Sequence, residues 1–353
     1  MTTKKDIESA LMRGADTLRD TIDAANYKDY VLPVMFVKYL SDSYTDAVEE
    51  LSKQYSGIRL ERQKKYLPFM VAEGCSFYDL YQQRFADNIG QLMNAAMRQI
   101  EADNNQQLAG VLSAVDYNSE NALGTREHKN AILRDLLEDF EPLDLRPSAI
   151  EVKEGQVPAD VIGDAYEYMI GQFASMAGKK AGSFYTPAAV SEIMARIVDV
   201  QPGERVYDPT CGSGSLLIKA AKKQNSKEVS IYGQEVNGSS VAMAKMNMYI
   251  HEIRDAKIGW GDTLANPVFL DADGNLLLFD AIVANMPFSK DKWASGFNPG
   301  GESSGKGKKE FKMEASLDKF HRFDWGVPPA SKGDWAFLLH MIASMSVNGR
   351  IAA

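Results

Sequence analysis

The densest chemistry in the sequence lies in VYDPTCGSGSLLIKAA, residues 206–221. A short apolar run ends at Asp208, a glycine-rich turn follows, and helical spacing begins at Gly214. Gly212 and Gly214 let the backbone approach a ligand closely and adopt positive φ where needed. The N-terminus of the following helix favours a carboxylate or phosphate. A dinucleotide fingerprint would need G-x-G-x-x-G/A, but the third position here is Leu217, the wrong size for close helix–strand packing. Two carboxylates stand at what should be the ends of the next two strands. Glu235, in SIYGQEVN, is placed to accept hydrogen bonds from ribose hydroxyls, and Asp262, in GWGD, to accept from an adenine amino group. Alone, each would more often be a helix cap or loop charge. At the carboxyl ends of consecutive parallel strands, where ligands bind, they point to a site.

A second group follows the next strand, in IVANMPFS, with Asn285, Met286, Pro287 and Phe288 in succession. It resembles the (N/D)-P-P-(Y/F) motif of enzymes that methylate an exocyclic or amide nitrogen, and D-P-T-C-G-S-G is similar to the S-adenosylmethionine turn of such enzymes. An aromatic amine is a poor nucleophile because its lone pair is delocalised into the ring. The resemblance implies that the Asn285 side-chain oxygen and the Met286 carbonyl each accept one N–H, localising that lone pair. It also implies that Phe288 stacks on the base. Met286 stands where the motif has proline. The ring's φ lock is lost, but Pro287 still biases Met286 toward an extended conformation and the carbonyl survives, so activity should be retained. Upstream, Phe184, Tyr185, Thr186 and Pro187 in GSFYTP open a helix, with Thr186 a natural N-cap and Pro187 a natural first residue. This start resembles the motif of methyltransferases that meets the cofactor's methionine carboxylate.

These groups need a parallel sheet to hold them. From residue 200 the pattern alternates strand and helix: strands at Arg205–Asp208, Val229–Gln234, Lys257–Trp260 and Phe279–Ala284, helices at Gly214–Lys223, Ser239–His251 and Asp334–Val347, and a fifth strand from Arg350. Repeated β-α units predict an α/β fold, a doubly wound parallel sheet with right-handed crossovers. Ser289–Lys332, rich in Gly, Ser, Lys and Pro, reads as a long loop beside the substrate cleft, mobile without DNA. Residues 1–150 read as helices. Ile7, Leu11, Ala15, Leu18 and Ile22 share one face, and Pro33 is placed in the first turn of a central helix that is apolar almost all round over Val34–Leu40. Residues 141–160 hold three prolines and no periodicity, so the domains are taken as 1–150, all-α, and 151–353, Rossmann-like.

The chain has 353 residues and a net charge of −9. Residues 1–150 carry 17 Lys+Arg against 24 Asp+Glu, and residues 151–353 carry 22 against 24, so the acidity is concentrated in the first part. That balance argues against a stand-alone, non-specific nucleic-acid binder. Two distant cysteines, Cys75 and Cys211, exclude a disulfide scaffold or a cysteine zinc site, and the four histidines lack metal spacing, so no metal is expected. Cysteine use and the absence of a long apolar run suit a cytoplasmic protein away from membranes.

The wider text, KDYVLPVMFVKYLSD at 28–42, DVIGDAYEYMIGQF at 160–173 and GSFYTP at 182–187, resembles the modification subunit of type I restriction-modification systems, within the gamma-class N6-adenine methyltransferases. The resemblance implies S-adenosylmethionine held by Phe184, Tyr185, Thr186, Pro187, Asp208, Thr210, Gly212, Ser213, Gly214, Glu235 and Asp262. It implies catalysis by Asn285, Met286, Pro287 and Phe288 on a flipped adenine of double-stranded DNA. It also implies assembly with a DNA specificity subunit and, optionally, a restriction subunit. The alternatives are an RNA or protein-glutamine N-methyltransferase, and an inactive S-adenosylmethionine-binding assembly subunit. Because such sheets continue past a fifth strand, the catalytic domain is expected to be C-terminally incomplete, to bind S-adenosylmethionine weakly and to methylate DNA poorly or not at all, even with a specificity subunit added.

Overall fold

A computed structural model describes residues 1–104, 108–178, 185–222, 228–288, 290–298 and 311–353. The chain divides into two compact units, Met1–Ala181 with Lys245–Arg254, and Gly182–Ala244 with Asp255–Ala353.

The first unit is helical: α1 (Lys4–Thr17), α2 (Tyr27–Ser52), α3 (Ile89–Asp103), α4 (Arg126–Phe140) and α5 (Pro158–Ala177), with shorter helices between them. Thr3 and Asp6 close a reciprocal capping box that starts α1. Pro33 lies inside α2 rather than in its first turn, because the helix begins at Tyr27. Burial of Val31, Leu32, Met35 and Phe36 outweighs the backbone hydrogen bond that the proline removes. In the same helix Lys38 is fully buried and is held by Asp42 at 2.6 Å and the Tyr78 hydroxyl at 2.8 Å. Helix α5 buries Val161, Ala165, Tyr166, Met169 and Phe173 and packs on α1. The compact unit therefore runs past residue 150, the boundary expected from the proline-rich stretch. That stretch is itself tied down, with Thr2 donating to the Ala149 carbonyl and accepting from the Glu151 N–H.

The second unit contains α6 (Ala188–Val198), β1 (Arg205–Asp208), α7 (Ser215–Lys222), β2 (Ser230–Glu235), the first half of α8 (Gly238–Ile250), β3 (Lys257–Trp260), β4 (Phe279–Val283), α9 (Gly333–Ala343) and β5 (Met345–Ala352). All five strands are parallel, in the order β3-β2-β1-β4-β5. The chain winds outward from β1 through β2 to β3, then returns to the other side of β1 with β4. The order thus reverses between β1 and β4, where the carboxyl ends of the strands open a crevice. Tyr207 of β1 stacks on Phe279 of β4 at 4.3 Å between ring centroids, and Tyr232 and Phe269 meet them edge-on.

Two expectations for this unit need correction. Helix α9 ends at Ala343 and the fifth strand begins at Met345, where the sequence suggested helix through Val347. The β4–β5 register slips after Phe279↔Met345 and resumes at Ala281↔Arg350, so the segment between looks outward, with Val347 98% exposed. Gly349 is required there, since a Cβ would lie 2.4 Å from Met345 Cγ. The second correction concerns Ser289–Lys332. Its described parts are packed around Trp293 and Phe323, both buried, with Phe297, Phe337 and Leu264. The Trp293 indole donates to the Pro329 carbonyl at 3.0 Å and the Lys292 N–H to the Ala330 carbonyl at 3.0 Å. Ser289 and 299–310 lie outside the described residues.

Candidate active site

The crevice at the β1/β4 switch holds a cavity of about 380 Å³, within the size range of small-molecule sites. The turn after β1 forms its floor. Gly212 and Gly214 adopt φ of +51° and +76°, and the Gly214 N–H closes the turn on the Cys211 carbonyl at 2.7 Å. The turn is anchored to the end of β2: the Cys211 N–H donates to the Gln234 carbonyl at 3.0 Å and the Gly212 N–H to Glu235 Oε2 at 3.1 Å. A side chain at Gly233 of β2 would press on Cys211 Sγ at 3.0 Å, so the absence of one there lets the turn lie close to the strand.

Thr210, Gly212, Ser213, Glu235, Asp262, Tyr185, Thr186, Asn285 and Pro287 line this one cavity. Residues from five separate stretches thus converge at the strand ends. Gly214 shapes the turn and Pro187 precedes α6, but neither lines the cavity, and Phe184 lies outside the described residues. Asp208 sits beneath the turn, buried, with Oδ1 accepting the Thr210 N–H at 2.8 Å. Burial, reinforced by the neighbouring Glu235, pushes its carboxyl up to about 8. Burial also raises Glu235, while the N–H groups of Asn237 and Gly212 and the Lys290 ammonium oppose that rise. Asp262 Oδ1 accepts the N–H groups of Leu264 at 2.9 Å and Ala265 at 3.3 Å, and its Oδ2 lies 4.0 Å from Lys290 Nζ.

Asn285 follows β4, and its Nδ2 donates to Thr186 Oγ1 at 3.3 Å. In this orientation the amide nitrogen faces Thr186 and the oxygen is turned away from it. The Met286 side chain packs into the apolar clusters on either side of it, and Phe288 is 79% exposed.

Val236, Asn237, Lys290 and Phe337 also line the cavity and were not singled out by sequence reasoning. Val236 and Asn237 follow directly on Glu235, a position that could have flagged them. Phe337 comes from α9, whose apolar text reads only as core. Burial holds the Cys211 thiol well above its ordinary range, which disfavours the thiolate. Among the described residues no three His, Cys, Asp or Glu side chains group as a metal site, and no helix is long and apolar enough to cross a membrane.

Comparison with known proteins places these observations in a family. Residues 157–353 match the N-6 DNA Methylase family, and residues 7–140 match the HsdM N-terminal domain. The type I restriction enzyme MjaVIII methylase subunit of Methanocaldococcus jannaschii is 29% identical over 342 residues, covering 93% of this chain and 53% of that protein. The MpnII methylase subunit of Mycoplasma pneumoniae is 29% identical over 386 residues, covering 98% of this chain and 66% of that protein. The chain thus spans between about half and two thirds of the length of these curated relatives. Among solved structures, the type I restriction-modification methyltransferase subunit from Streptococcus thermophilus superposes with a TM-score of 0.75 at 29% identity, covering 99% of this chain and 74% of that one.

Proposed function

Because the chain belongs to the N-6 DNA methylase family, we propose that it is the modification subunit of a type I restriction-modification complex, methylating the N6 amino group of adenine in double-stranded DNA. The observation that carries this reading is the joining, in one cavity, of the glycine turn, Glu235 and Asp262 with an Asn285 amide anchored on the Thr186 hydroxyl.

The cavity fits S-adenosylmethionine in its donor set. Two carboxylates, Glu235 and Asp262, line it and have acceptor oxygens for ribose hydroxyls and an adenine amino group. The two glycines keep side chains out of the turn on which the cofactor's methionine end would rest, near Tyr185 and Thr186. Bound there, the cofactor supplies an electrophilic methyl group. The chain's own residues then act on the target. Asn285 Oδ1 and the Met286 carbonyl each accept one N–H of the adenine amino group, which turns its lone pair out of conjugation with the ring. Phe288 offers a stacking face to the flipped base, offsetting part of the unstacking cost. Pro287 keeps Met286 extended so that its carbonyl stays beside the asparagine. These hydrogen bonds and the stacking hold the nitrogen in line for transfer, and no side chain need remove a proton beforehand.

Sequence-specific DNA contact belongs, on this reading, to a separate specificity subunit, and a restriction subunit completes the complex where cleavage accompanies modification. The acidic balance of the chain agrees with that division. Its place of action is the cytoplasm. The test is incubation of the chain and a specificity subunit with methyl-labelled S-adenosylmethionine and DNA. Label on adenine N6, lost with Asn285→Ala, supports the reading. Label on RNA or a protein glutamine, or label on adenine that survives Asn285→Ala, replaces it.

A further inference from the structure

Arg322 lies in the segment after the Asn285 motif and is almost completely buried. Its guanidinium uses every N–H. Nε donates to Asp318 at 3.1 Å, Nη1 to the Thr263 carbonyl at 3.3 Å and to His340 Nδ1 at 3.1 Å, and Nη2 to the Leu264 carbonyl at 2.6 Å and Asp318 Oδ1 at 2.8 Å. Arginine has only donors, so His340 Nδ1 must accept and its proton sits on Nε2, which faces the Tyr207 hydroxyl at 3.2 Å. Burial and the Arg322 charge both hold His340 neutral, in keeping with that tautomer.

The two carbonyls that Arg322 holds belong to the turn after β3, which carries Asp262. Leu264 is held at both of its backbone groups: its N–H by Asp262 Oδ1 at 2.9 Å, its C=O by Arg322. The hydroxyl of Thr263 donates in turn to the Pro209 carbonyl at 2.6 Å, in the turn directly after Asp208. One guanidinium therefore fixes the Asp262 turn, and that turn is bonded to the glycine-turn side of the same cavity. Arg322 itself does not line the cavity.

We propose that Arg322 is a positioning residue for the cofactor, acting through the Thr263 and Leu264 carbonyls to set the Asp262 carboxylate. It ties the pocket to the segment that follows the target-binding motif. This inference rests on the reading of the cavity as an S-adenosylmethionine site. A planar five-donor fork is needed, because a lysine ammonium reaches Asp318 but cannot also hold two carbonyls and an imidazole.

The experiment is a double-mutant cycle on cofactor affinity, measured by titration calorimetry with S-adenosylmethionine on the full chain. Arg322→Lys should weaken binding about tenfold to hundredfold, the value of a charge-assisted hydrogen bond to the ligand. In an Asp262→Ala background the same change should cost less than about twofold, since the contact it acts through is already gone. A second variant, Asp318→Leu with Arg322→Met, removes the buried pair together. It leaves the Thr263 and Leu264 carbonyls and His340 Nδ1 without their donor, so it should melt below the parent, and in its folded range it should still lose affinity. Equal losses in both Asp262 backgrounds, or unchanged affinity in the folded pair variant, would overturn the positioning role. Absence of binding by the unmutated chain would instead overturn the cofactor reading on which it rests.

Discussion

Replacing Asp208 with asparagine probes the electrostatics of the site with neither cofactor nor DNA present. The carboxyl is buried under the glycine turn and pushed up to about 8 from an ordinary value of 3.8. Converted at about 1.4 kcal/mol per pH unit, holding it ionised in the fold costs on the order of 5 kcal/mol relative to ionising it in the unfolded chain. The sign follows from proton counting. Between about pH 4 and about pH 8 the folded chain keeps a proton that the unfolded chain releases, so this group's contribution to stability falls as pH rises through that window and is level above it. Asparagine keeps an oxygen to accept the Thr210 N–H and carries no charge at any pH. For a unit of this size about 1 kcal/mol moves the melting temperature by roughly 2–4 °C. Asp208→Asn should therefore melt about 10 °C above the parent at pH 8 and only about 3 °C above it at pH 5. Scanning calorimetry at the two pH values measures this directly, and any pH-independent cost of the amide cancels in the comparison. A difference between variant and parent that stays the same at pH 5 and pH 8 would show that Asp208 is already ionised in the fold, and the argument would fail.

Four further outcomes follow. Asn285→Ala should bind S-adenosylmethionine within about twofold of the parent and lose methyl transfer by about a hundredfold or more, by analogy with loss of one group aimed at a reacting centre. Thr186→Val frees the Asn285 amide to rotate, and loss of one hydrogen bond worth about 1 kcal/mol should lower kcat about fivefold. Phe288→Ala removes a stacking face worth about 1–3 kcal/mol, read as weaker capture of a fluorescent base analogue at the target position. Trp293→Ala empties the core beneath the segment after Asn285 and should cost about 3–5 kcal/mol, read as a lower melting temperature. An unaltered melt would mean that the segment is not packed.

The parts of the site legible in the sequence are those whose chemistry is local. A turn needing positive φ requires glycine, and Gly212 and Gly214 announce it. Strand ends that carry Glu235 and Asp262 follow from β-α alternation alone. Arg205, Lys257 and Phe279 begin strands as the alternation predicts, and β2 begins one residue later than expected, at Ser230. What stays hidden depends on partners distant in sequence. Arg322 reads as one of nine Lys and Arg in a polar stretch, because its acceptors are carbonyls some sixty residues away that no side-chain pattern reveals. The same stretch looks like loop because its glycines and lysines dominate the composition. Yet Trp293, Phe297 and Phe323 are spaced too irregularly to signal an element and still bury a core. Pro33 is misplaced for the converse reason: a local rule for helix starts yields to apolar burial along the whole of α2.

Met286 shows how a departure from a motif is absorbed. A proline at this position would stiffen the backbone between Asn285 and Pro287 by fixing φ. Methionine gives up that lock, and its unbranched, polarisable side chain fills irregular apolar gaps instead. Here it packs against both clusters that flank the site, the one around Trp293 and Phe323 and the one around Tyr207 and Phe279. The peptide is thus held from the side-chain end rather than through its ring. Asn285 before it is anchored to Thr186, and Pro287 after it lines the cavity. Asn285 is thus held by a hydrogen bond and Met286 by packing, and only the second differs in kind from the motif. The carbonyl that the proposed chemistry needs belongs to the backbone, so its availability depends on where the peptide is held and not on which side chain holds it.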